Sequence, residues 1–175
     1  LNAVCEIRSG GPLADFKESF SEVIIRTLKD NLGDVMRAYF NGDPVQIAQS
    51  LLPCIIVEKE NLTVEVGPTG TDERAHRINV KVVFNKKDDF GKMPDEANTQ
   101  RRLEDFTEGL NETTGEYDDH TVLGVLRRNF TLGNLVNNQI VNVDYGVTPR
   151  PQDVLTAEAN IIVTISDILT VSNRT

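Results

Sequence analysis

The chain has 175 residues and a mass of 19.4 kDa, room for one domain with a core of its own and little for a second. Its 39% hydrophobic and 26% charged residues are an ordinary globular mix, which excludes a disordered chain and removes any need for a disulfide or metal staple. A net charge of -9, from 18 Lys and Arg against 27 Asp and Glu, argues against a monomer that holds nucleic acid on a basic surface. The longest apolar run, residues 51–57, contains a proline and falls far short of the ~20 residues of a membrane helix, so no membrane span is expected. No basic region followed by an apolar stretch opens the chain, and no secretory signal is expected either.

Residues 1–12 read as an N-terminal arm, with Gly10-Gly11 as its flexible end, and residues 13–175 as one domain. Leu13, Phe16, Phe20, Val23, Ile24, Leu28 and Leu32 recur at spacings of three and four, which predicts an amphipathic helix over 13–32. Gly33 caps or interrupts it. Val35, Met36, Tyr39 and Phe40 would continue the same apolar face if the helix runs on. Asn41-Gly42-Asp43-Pro44 is a turn, and Pro44 suits the first position of a second, short helix ending near Leu52.

From Pro53 the period becomes extended. Cys54-Ile55-Ile56-Val57 predicts a strand covered on both faces, and Leu62, Val64 and Val66, alternating with Thr63 and Glu65, predict a half-buried one. Gly67-Pro68-Thr69-Gly70 ends that strand. The clearest strand is 75–85, with Ile78, Val80, Val82 and Phe84 on one face and Arg77, Asn79 and Lys81 on the other. Residues 86–98 are a polar loop. Two helical stripes follow: Leu103, Phe106 and Leu110, then Val122, Leu123, Leu126 and Phe130. Residues 140–147 return to strand, broken by Pro149 and Pro151, and a last strand covers 157–165. The order helix, three strands, helices, two strands predicts an α+β fold, a mostly antiparallel sheet with helices packed on one face.

Little in the chain points to chemistry, and an enzyme is not expected. His76 sits beside Arg74 and Arg77, while Asp118, Asp119 and His120 are consecutive and fan apart instead of converging on a metal. Neither a metal site nor a cofactor is expected: the Gly67-Pro68-Thr69-Gly70 turn lacks the lysine and helix of a phosphate loop. Cys54 sits in an apolar run, as a buried free thiol would. Two readings from other classes stay open. Cys54 with a histidine would make a small cysteine hydrolase, and a Cys5–Cys54 bond with glycans at Asn61, Asn111, Asn129 and Asn173 would make a secreted binding domain.

The helix over 13–32, the run Leu52-Pro53-Cys54-Ile55-Ile56-Val57, the turn Gly67-Pro68-Thr69-Gly70, the strand over 76–84 and the closing strand over 158–165 follow one another in a telling order. In that order the chain resembles the tail terminator and tail completion proteins, the head–tail joining proteins of long-tailed bacteriophages. The likeness spans residues 13–167; the chain is longer than the compact members between residues 86 and 138. The resemblance implies a structural virion protein, assembled in the host bacterial cytoplasm. It implies a homo-oligomeric ring, a hexamer, that caps the tail tube protein and docks to the head connector or neck protein. DNA would pass through its lumen without specific binding, which an acidic subunit suits. Under this reading the arm and the 86–98 loop are candidate contacts between subunits, and Asp88, Asp89, Phe90, Asp95 and Glu96 are the candidate interface or lumen residues. The nearest alternative is another neck, connector or sheath-associated tail completion protein.

Overall fold

A computed structural model describes residues 18–67, 70–93, 96–129 and 137–170. The first helix, α1 (Phe20–Leu32), begins where Ser19 and Glu22 form a reciprocal cap. The Ser19 hydroxyl accepts from the Glu22 amide at 3.3 Å, and the Glu22 carboxylate accepts from the Ser19 amide at 2.7 Å. It ends at Gly33, whose φ of 60° lies in the left-handed region that glycine adopts without strain. Val23, Ile24, Leu28 and Leu32 are buried, as their spacing predicts. Leu13 and Phe16, the first part of the predicted helix, lie outside the described residues, as does the predicted arm.

Beyond Gly33 the chain does not stay helical. A single 3-10 turn (Gly33–Val35) leads into β1 (Ala38–Asn41), which sends Tyr39 toward the main core and Phe40 to the opposite face of the sheet. The predicted second helix is absent as well; only a 3-10 turn, Gln49–Leu51, forms there. The segment is instead pinned flat on the sheet by the buried side chains of Ile47 and Leu52.

Next, β2 (Cys54–Val66) is one strand where two were predicted. The polar Glu58-Lys59-Glu60 stretch is not a turn but a bulge, marked by a register shift between Lys59 and Asn61. Its two glutamates are answered across the sheet, Glu58 by Lys81 and Glu60 by Arg77. β3 (Thr71–Asn85) pairs antiparallel with β2 and with β5 (Val154–Thr170), and β4 (Asn137–Arg150) pairs antiparallel with β5. The sheet order is β1-β2-β3-β5-β4, and β1 is the strand that lies parallel to its neighbour. Pro149 does not end β4, because β4 is an edge strand whose outer side needs no donor.

Helices α2 (Thr99–Glu108) and α3 (Val122–Arg128) join α1 on one face, over the rows Ile78, Val80, Val82, Phe84 and Ala157, Ala159, Ile161, Val163, Ile165. This is the expected α+β fold. Leu110 lies past the end of α2 and is exposed, and Phe130 lies outside the described residues. A smaller cluster of Ile47, Leu52, Cys54, Ile56, Val83 and Val154 covers the other face at one end. Cys54 to Val57 are buried from both sides, as their unbroken apolar run predicts.

Candidate functional site

Three features of this architecture bear on function: the loop after β3, the far end of the sheet, and its two long edges. In the loop, Asn85 caps a 3-10 turn (Lys86–Asp89). Asp88, Phe90 and Glu96 are exposed, Phe90 at 62%, and Asp95 lies outside the described residues. Met93, which the sequence did not single out, is exposed at 65% a few residues on.

Asp89 departs from the expectation. It turns inward, where one carboxylate oxygen accepts from the Thr99 amide (3.1 Å) and hydroxyl (2.7 Å) and the other from Lys86 Nζ (2.7 Å). Burial works against its charge, but Lys86 and Thr99 outweigh that and hold the carboxyl at about 2. Asp89 therefore fastens the start of α2 to the loop, with both carboxylate oxygens engaged inside the chain.

At the far end of the sheet β2, β3 and β5 run on past the helices as a three-stranded ribbon. Its register places Leu62 beside His76 and Ile165, Val64 beside Arg74 and Asp167, and Val66 beside Asp72 and Leu169. Leu62, Val64, Val66, Ile168 and Leu169 are exposed there, Val66 at 90%. The alternation predicted for Leu62, Val64 and Val66 is thus present, but the expected half-burial is not. Nothing in the described part of the molecule covers this end.

At the root of the ribbon a small polar cluster meets the start of α1. Arg74 pairs with the Asp167 carboxylate, His76 Nε2 donates to Asp167 Oδ1 at 3.1 Å, and Phe20 packs edge-on against the His76 ring at 4.6 Å. A cavity of about 210 Å³ lined by Ser19, Phe20, Lys59, Arg74, His76 and Asp167 opens beside them. Burial depresses the His76 imidazole below its ordinary range, Lys59 and Arg74 add to this, and the Asp167 carboxylate opposes it.

The groups considered for a cysteine hydrolase are kept apart. Cys54 shares a face with Val83, its register partner, whereas His76 lies an odd number of residues along the same β3 and points to the other face. Cys54 is fully buried, and that burial pushes its thiol up to about 12. His120 is exposed in the turn before α3, where its amide donates to Asp118 Oδ1 at 2.9 Å. Cys5 lies outside the described residues. A groove of about 640 Å³ between α2 and the 109–121 segment interleaves Arg101 and Arg102 with Asp105, Glu112 and Asp118, with no convergence of one chemistry. Among the described residues no three His, Cys, Asp or Glu side chains are placed to hold a metal ion.

The third feature is the pair of open edges. β1 pairs only with Cys54 to Val57, so the outer side of residues 58–66 in β2 has no strand beside it among the described residues. The outer side of β4 has none along its 14 residues. No protein-family model matches the chain, and no curated protein matches it in sequence.

Proposed function

We propose that the chain is a structural subunit of a bacteriophage head–tail junction, a tail terminator that assembles as a ring on the end of the tail tube and presents a surface to the head connector. The observation that carries this reading is the ribbon that none of the described residues covers. Leu62, Val64, Val66 and Leu169 share one face of the projecting end of the sheet, with Ile168 on the other. Scattered apolar residues are ordinary on a monomer, whereas a grouped and projecting set marks a contact surface. Phe90 and Met93 supply a second exposed apolar site on the loop that the resemblance marks as a contact between subunits. The rest of the support comes from the likeness of element order to the terminator and completion proteins. The charge of -9 per subunit fits a lumen through which DNA slides without adhering.

The test is native mass spectrometry of the purified chain, alone and mixed with the tail tube protein of the same phage. A hexamer, or a monomer that becomes six-fold on the tube, is the expected result. A chain that stays monomeric and binds neither tube nor connector would overturn the reading. The same setting would also suit another neck or sheath-associated completion protein. Binding to the connector or sheath without binding to the tube would favour that role.

A further inference from the structure

We infer that copies of this chain join head to tail through their sheet edges, residues 58–66 of β2 in one copy lying beside β4 of the next. The inference rests on the ring reading and adds the surface that closes the ring. Both edges are open among the described residues. An open edge is a row of unpaired donors and acceptors, and proteins that stay monomeric blunt it with charge, proline or cover. Along residues 137–148 of β4 such devices amount to one charge, Asp144, and the bulge at Val141, while Pro149 and Arg150 stand at the end of the strand. Val141, the extra residue at the β4 bulge, is 57% exposed, and Val147 is 52% exposed. On the other edge Leu62, Val64 and Val66 are exposed and Glu58 and Glu60 are already paired to Lys81 and Arg77 within the sheet, so that Lys59 at the bulge and Glu65 are the exposed charges left along it.

Strand polarity makes the match specific. β1, β2 and β5 run one way, and β3 and β4 run the other. If two copies stand in the same orientation, β4 of one meets β2 of the other antiparallel, the pairing the rest of the sheet uses. The two surfaces are different patches, so the contact is heterologous and closes into a ring when the rotation allows. Pairing β4 with β4 about a two-fold axis would instead leave the β2 edge open in both copies. Main-chain bonds would supply the adhesion, and the exposed valines and leucine would set which face aligns.

The experiment is disulfide trapping in a Cys5→Ser background, with Cys54 left in place because it is buried. Thr63→Cys is combined in turn with Gln139→Cys, Val141→Cys and Asp144→Cys, a panel that spans the stagger between copies. Within one copy β2 and β4 are separated by β3 and β5, about 14 Å at ~4.8 Å per strand, too far for a bond. Mild oxidation should therefore move the larger part of at least one double variant into a ladder of dimers and higher multiples, while each single variant stays monomeric. Efficient dimers from a single variant would show two-fold pairing and overturn the inference. So would the absence of any ladder in a chain that native mass spectrometry shows as a ring, and there the ring reading would survive alone. A ladder that grows into open filaments would keep the edge pairing and overturn the ring. As a second variant, Val141→Lys with Val147→Lys should abolish self-association and leave the denaturation midpoint of the monomer within experimental error; unchanged association would again overturn the inference.

Discussion

Arg150 and Glu158 meet across the β4–β5 hairpin with Nε 2.7 Å from Oε1, and both side chains are almost sealed from water. The same guanidinium reaches Asp43 at 2.8 Å, and Asp43 in turn takes Lys81 Nζ at 2.7 Å. One arginine thus ties the β4–β5 hairpin to the turn that follows β1. Burial opposes the charge of Asp43, but Arg150 and Lys81 together hold its carboxyl below the usual range. Arg150→Met leaves Glu158 buried without its cation and removes one of the two cations that hold Asp43. A loss of about 3–5 kcal/mol is expected, the cost of breaking a buried pair by removing one partner. Urea denaturation followed by circular dichroism measures it. Replacing Arg150 and Glu158 together by apolar residues should cost less than Arg150→Met alone.

A pH dependence is expected from His76. Its ring is buried, with Nε2 donating to Asp167, and it faces Arg74 on β3 and Lys59 on β2. Because the folded-state pKa lies below the unfolded value of about 6.5, the unfolded chain binds the proton first. The stabilisation is therefore complete above that value and is lost as pH falls through the window beneath it. An NMR titration of the imidazole should report a midpoint below 6.5, and His76→Gln should flatten the fall in stability below about pH 6.5. A midpoint above 6.5 would mean that Asp167 outweighs burial.

Asp89 governs a more acidic window. Its carboxyl is held at about 2 in the folded chain, against an ordinary 3.8. A depressed carboxylate contributes stability that is present above its unfolded pKa and lost as pH falls toward the folded one. Asp89→Asn should therefore remove part of the acid limb of the stability profile between about pH 4 and pH 2. At neutral pH, Asp89→Ala should cost about 2 kcal/mol, since the Thr99 amide and Lys86 lose a charged acceptor. Thermal unfolding at a series of pH values separates the two effects.

The residues that read correctly from the sequence are those whose neighbours in the chain decide their surroundings. The buried face of α1 follows from local spacing, and so do the alternation of Ile78 to Phe84 and the double-sided burial of Cys54 to Val57. Tyr39 and Phe40 stayed undecided in the sequence because spacings of three and four across Val35, Met36, Tyr39 and Phe40 fit a helix as well as a short strand; the helix stops at Gly33, one of the two outcomes left open there. The break expected between Val57 and Leu62 was polar, but Glu58 and Glu60 find partners on β3, which a local reading does not see.

The proposed contact surfaces were less legible for the same reason. Asp89 looked like one more acid in a polar loop, because its partner Thr99 stands ten residues away. Leu62, Val64 and Val66 looked half-buried because alternation marks a face without saying whether anything covers it. The open edges depend on the order β1-β2-β3-β5-β4, which pairs residues as distant as Asp72 and Leu169.

Cys54 gives a direct comparison with the hydrolase reading. A catalytic thiol would be exposed enough to react and held as thiolate by a basic neighbour. Here the thiol is fully buried and raised to about 12, with His76 on the other face of the sheet. In a Cys5→Ser background, native-state labelling with a thiol reagent should proceed only as fast as the protein unfolds, and denaturant should release one full equivalent. Rapid labelling in the native state would revive the hydrolase.

The ribbon separates stability from assembly. Val64 and Val66 are exposed at 49% and 90% on strands whose main-chain pairing is already complete on the β3 side. Adding a charge at such positions removes little buried area from the monomer, so Val64→Asp and Val66→Asp should each change stability by no more than about 0.5 kcal/mol. The same charge placed in a desolvated contact between subunits would remain unpaired, a penalty large enough to shift association at least tenfold. Analytical ultracentrifugation should therefore show both variants folded like the parent chain but weakened in self-association or in binding to the tube. If both variants assemble as the parent does, the ribbon is not the contact surface. Phe90 and Met93 would then be the next residues to charge, since they are the exposed apolar pair on the loop between β3 and α2.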